Sequence, residues 1–83
     1  MNLLFTFKKF SVVFLCEKII IAAGLSCRVV PVPRSLGVTC EYAAEIKNID
    51  KSDVYTIFAL LKKRDLQYTK VFHSILTEDG EVY

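Results

Sequence analysis

At 83 residues, 53% of them hydrophobic and 24% charged, the chain has apolar content for one buried core and too little length for a second domain. The same figures exclude a disordered chain. A net charge of +2, with only Lys8-Lys9 and Lys62-Lys63-Arg64 as short basic runs, excludes a duplex-binding footprint, and no aromatic RNA-binding strand motif is present.

Asn2 to Phe7 is apolar and aromatic, and it reads as a strand buried on both faces. Lys8-Lys9 followed by Phe10 to Cys16 has the look of a secretion signal, but Glu17-Lys18 cuts the apolar run well short of the roughly 20 residues that cross a bilayer. The expectation is a core helix from about Phe10 to Ala23, stopped at Gly24, with no membrane partner. Val12, Val13, Cys16, Ile19, Ile20 and Ala23 form its inner stripe, while Phe14 and Ile21 lie outside it with Lys18.

Cys27 to Val32 is β-branched and extended, and Pro31 and Pro33, which donate nothing to a ladder, place it at a sheet edge. Glu41 to Lys47 alternates, with Tyr42, Ala44 and Ile46 on one face and a wet face of Glu41, Ala43, Glu45 and Lys47 opposite. Asp50 followed by Asp53 opens a second helix, in which Val54, Ile57, Phe58 and Leu61 recur at helical spacing and Lys62-Lys63-Arg64 meets the dipole at the end. Tyr68 to Ile75 is a fourth strand, and Asp79-Gly80 is a turn in a tail that frays or folds back as a hairpin.

The order β-α-β-β-α-β predicts an α+β, ferredoxin-like two-layer sandwich: four antiparallel strands in the order 4-1-3-2 with both helices on one face. Residues 1–76 form the single domain and 77–83 the tail or short hairpin. The opposite sheet face is expected to be open and to support a homo-oligomer.

Cysteines at 16, 27 and 40 make an odd count without CxxC spacing, which argues against a disulfide framework and a structural zinc, and suits a reducing cytoplasm. No cofactor or metal is expected; His73, the single histidine, has no clustered partner. Cys40 is the candidate for chemistry. It follows Pro31-Val-Pro-Arg34 and a stretch holding Ser35, Gly37 and Thr39, so a guanidinium and hydroxyl donors stand near a thiol whose anion they favour. The alternative is a buried structural cysteine in an interaction module that uses the sheet face and Phe14/Ile21. A catalytic Cys40 and His73 pair lacks an orienting third group, so no enzyme activity is expected.

Leu4-Phe-Thr-Phe7, Glu17-Lys18, Ala23-Gly24 and above all Pro31-Val-Pro-Arg34 with a Cys six residues later resemble the selenium/sulfur (Se/S) carrier-like family of small bacterial domains. The resemblance runs from about Asn2 to Phe72. It implies a cysteine, Cys40, that holds sulfur or selenium as a persulfide or selenide, with Arg34 as the matching basic residue and with donor and acceptor proteins as partners. Two positions depart from the family pattern. Its Ser-rich stretch is here Ser35-Leu-Gly-Val-Thr39, and Glu41 replaces the Gly after the thiol, setting a carboxylate where it disfavours a thiolate.

Overall fold

The computed structural model describes residues 1–39 and 41–83, without the side chains of Leu76 and Glu81. The elements are β1 (Leu3–Thr6), α1 (Phe10–Ala22), β2 (Cys27–Pro31), a 3₁₀ turn (Arg34–Leu36), β3 (Tyr42–Ile46), α2 (Lys51–Lys63), β4 (Lys70–His73), β5 (Ile75–Thr77) and β6 (Gly80–Val82). The first four strands make one antiparallel sheet in the order β2-β3-β1-β4, while β5 and β6 pair as a separate hairpin. The expected ferredoxin-like α+β sandwich is borne out, with β2 and its proline at an edge.

Each element forms for a local reason. β1 is central, and all of residues 2–7 are buried, the polar Asn2 and Thr6 along with the apolar Leu3, Leu4, Phe5 and Phe7. α1 buries Val13, Cys16 and Ile20, whereas Phe14, Ile21 and, against expectation, Ala23 are exposed. Ala23 is the C-cap, and Gly24 follows at φ +88°, a left-handed backbone that ends the helix at low cost only for glycine. α2 opens with the reciprocal cap anticipated from Asp50 and Asp53: the Asp53 N–H donates to Asp50 Oδ1 at 3.0 Å, and the Asp50 N–H donates to Asp53 Oδ2 at 3.1 Å.

Register sorts the sheet into two faces. Leu3, Phe5, Ala44, Ile46 and Cys27 turn to the helices and pack with Val13, Cys16, Ile20, Ile57 and Leu61. Phe5 is the centre of an aromatic cluster, its ring 5.5 Å from Phe58 and 5.2 Å from Tyr68, both edge to face.

The opposite face differs from expectation. Phe72, Leu4, Glu45 and Arg28 form one cross-strand row, and Lys70, Thr6, Ala43 and Val30 form the next. Leu4, Thr6 and Ala43 have no solvent exposure and Glu45 is buried, so the middle of this face is neither wet nor open, while Arg28 and Lys70 on the edge strands stay exposed. The Tyr83 hydroxyl donates to Glu45 Oε2 at 2.7 Å. To reach β3 from the end of β4, the C-terminal segment must cross β1, a path of two strand spacings, or about 10 Å. The C-terminal segment therefore reaches over the middle of the face expected to meet another subunit. Arg28 Nε reaches the other oxygen of Glu45 at 3.2 Å, so the buried carboxylate has partners on both sides.

Candidate functional site

The segment between β2 and β3 is closed at its base by the Val32 N–H donating to the Glu41 carbonyl at 2.9 Å. Within it Pro33 is extended, and the chain then tightens into the 3₁₀ turn, with the Leu36 N–H on the Pro33 carbonyl and the Gly37 N–H on the Arg34 carbonyl, both at 3.1 Å. Gly37 leaves the turn at φ +66°, in the left-handed region where a side chain is strained, which fixes why glycine stands there. Arg34 and Ser35 lie in the turn with exposed side chains.

Beyond Gly37 the segment borders a cleft of about 690 Å³. Its apolar wall is Phe7, Phe10, Val13 and Tyr42; Lys8, Lys70, Thr39 and Glu41 bring polar groups to it. Phe10 and Tyr42 hold each other edge to face with ring centres 5.1 Å apart, and Phe14 extends the pair on the far side of Phe10 at 4.8 Å. Of the residues singled out in the sequence, Thr39 lines this cleft. Arg34 and Ser35 stand in the turn before it and are not part of its wall among the described residues. Cys40 lies outside the described residues; its sequence neighbours Thr39 and Glu41 both border the cleft.

The other two thiols have a clear status. Cys16 is fully buried under the sheet, and Cys27 is buried beside it. Burial, reinforced by nearby negative charge, pushes each up to about 12 from an ordinary value near 9, so neither is a thiolate at neutral pH. His73 is exposed on edge strand β4 opposite Leu3, whereas the cleft meets Lys70 at the other end of that strand, about 10 Å away along the chain.

Sequence reasoning found the segment but missed the cleft. Phe7, Phe10 and Tyr42 were read as core or strand residues of separate elements, and only the pairing of β1 with β3 brings Phe7 and Tyr42 to the same end of the sheet. Among the described residues, no group of three His, Cys, Asp or Glu side chains could hold a metal, and no helix is long and apolar enough to cross a membrane.

No curated protein and no solved structure matches the chain. The model of the family described as "Putative Se/S carrier protein-like" matches residues 2–73, a span that takes in both helices and all four strands of the main sheet and stops before the hairpin. With that much of its length matched, and the Pro31 to Cys40 segment inside the match, the chain belongs to the Se/S carrier protein-like family.

Proposed function

We propose that Cys40 carries sulfur or selenium as a terminal persulfide or selenide between a donor protein and an acceptor, without turning over a substrate of its own. The observation that carries this reading is the family match over residues 2–73, which includes the cysteine-bearing segment. Two further observations support it. Cys16 and Cys27 are buried with raised pKa values, which leaves Cys40 as the thiol for exchange. Its neighbours border an open cleft, which suits a group that must meet other molecules.

The loading step balances without an external oxidant. The Cys40 thiolate attacks the outer sulfur of a donor persulfide, a Cys40 S–S bond forms as the donor S–S bond breaks, and the donor leaves as a thiolate that takes up a proton. Discharge is the same exchange onto an acceptor thiol. Arg34, Ser35 and Thr39 are the anion-supporting groups in this reading, and Glu41 opposes them.

The test is intact mass of the purified protein after incubation with a persulfide donor, followed by peptide mapping. One added sulfur atom on Cys40, absent from Cys40→Ser, is the expected result. A protein that reacts at Cys40 with an alkylating agent and never gains the atom from any donor overturns the reading.

A further inference from the structure

The cleft has features that sulfur exchange at Cys40 does not require. Its volume, about 690 Å³, falls within the roughly 300–1,000 Å³ of small-molecule sites. One wall is aromatic, with Phe10 and Tyr42 held in a fixed edge-to-face pair beside Phe7. A flat apolar body would be buried against such a wall at little cost in side-chain ordering.

The charges around this wall have one sign in excess. Lys8 and Lys70 both border the cleft, are exposed, and make no ion pair among the described residues, while Glu41 is the one acid there among those residues. The first turn of the 13-residue helix α1 adds to them. Its residues Phe10 and Val13 line the cleft, it contains no acidic residue, and no side chain caps it at Lys9. Among the described residues that end therefore has neither a side-chain cap nor an acid in its first turn, in contrast to α2, whose start is closed by Asp50 and Asp53.

From the coincidence of an aromatic wall with two exposed lysines in one cleft, we propose that this cleft binds a small organic anion, a flat apolar body bearing a carboxylate, with the ring on Phe10 and Tyr42 and the anionic group towards Lys8 and Lys70. The inference goes beyond the carrier reading and does not use Cys40.

The experiment is an amide-resolved NMR titration of the full chain at low ionic strength with 2-naphthoate, using 2-naphthalenemethanol as the uncharged control. The acid shifts Phe10, Ser11, Thr39 and Tyr42 saturably, and the alcohol binds the same place about tenfold more weakly. Lys8→Ala with Lys70→Ala abolishes the difference between the two probes. Lys9→Asp supplies the missing cap, so it raises the thermal midpoint and weakens binding of the acid; a purely structural role for this end of the helix would not move the two in opposite senses. Equal binding of acid and alcohol, shifts centred elsewhere, no saturable shift, or insensitivity to the lysine pair each overturn the proposal. Loading of Cys40 by a persulfide donor is read separately by mass, so failure of one reading is distinguishable from failure of the other.

Discussion

The Glu17 carboxylate of α1 accepts the backbone N–H of Val29 on β2 at 3.2 Å. The Val32 N–H faces β3, so by alternation the N–H groups of Val30 and Arg28 also face inward and those of Cys27 and Val29 face out; Pro31, also outward, has none to offer. The outer edge of β2 is thus closed at two successive outward positions, once by a side chain and once by a ring. Exposed strand edges recruit other strands, and this one has been made a poor template.

Glu17→Ala leaves the Val29 N–H to water, and we expect a loss of about 1 kcal/mol in urea unfolding together with growth of larger species in light scattering at high concentration. Glu17→Gln keeps an acceptor and recovers most of both. A Glu17→Ala protein with unchanged stability would show that the hydrogen bond contributes nothing.

The two buried thiols make stability fall in alkali. A group whose pKa is raised on folding contributes its full stabilisation below its unfolded value and loses it as pH rises through the folded one, which for Cys16 and Cys27 means a decline beginning near pH 9 and running to about 12. Urea midpoints measured across that window should drop, and the drop should be shallower in Cys27→Ala than in the parent chain. An equal slope in the two proteins would assign the decline to other groups.

Burial also governs their reactivity. In the native protein Cys16 and Cys27 are expected to resist iodoacetamide at pH 8, and both react at once in denaturant. Mass-resolved labelling of each cysteine checks this, and rapid native labelling of Cys16 would contradict its complete burial.

Tyr83→Phe removes one of the partners of Glu45 and leaves Arg28 in place. The expected cost is about 1 kcal/mol, with exposure of the β5-β6 hairpin to limited proteolysis as the more sensitive readout. An unchanged cleavage pattern would mean that this hydrogen bond contributes little to holding the hairpin in place.

What could be read from the sequence was what depends on neighbours in the chain. Asp50 and Asp53 lie three residues apart and cap one another, Gly24 directly follows the C-cap that it terminates, and the apolar run of residues 2–7 names a central strand without reference to anything distant. What could not be read depended on side chains meeting across the fold. Glu45 sits in an alternating strand as a solvent-facing residue would, and its burial follows from a tyrosine 38 positions later. In the sequence Glu17 is a charge that interrupts an apolar run, and its bond to Val29 exists only once β2 lies beside α1. The loop was visible through its prolines, glycine and hydroxyls, whereas the cleft exists because the fold brings together three separate stretches of the chain, 7–13, 37–42 and 69–70.

The position of β1 has a consequence for the order of events during synthesis. It is made before both of its partners, is mostly apolar, and pairs on one side with β3 and on the other with β4, so that its last partner is residues 70–73. Domains are synthesised at about 5–20 residues per second, so the strand waits seconds before its second flank can be covered. During that interval α1, at 13 residues, is marginal by itself, and Leu3, Leu4, Phe5 and Phe7 have nothing complete to bury against. The nascent chain should therefore engage holding chaperones through residues 2–7 until nearly the whole domain has been made.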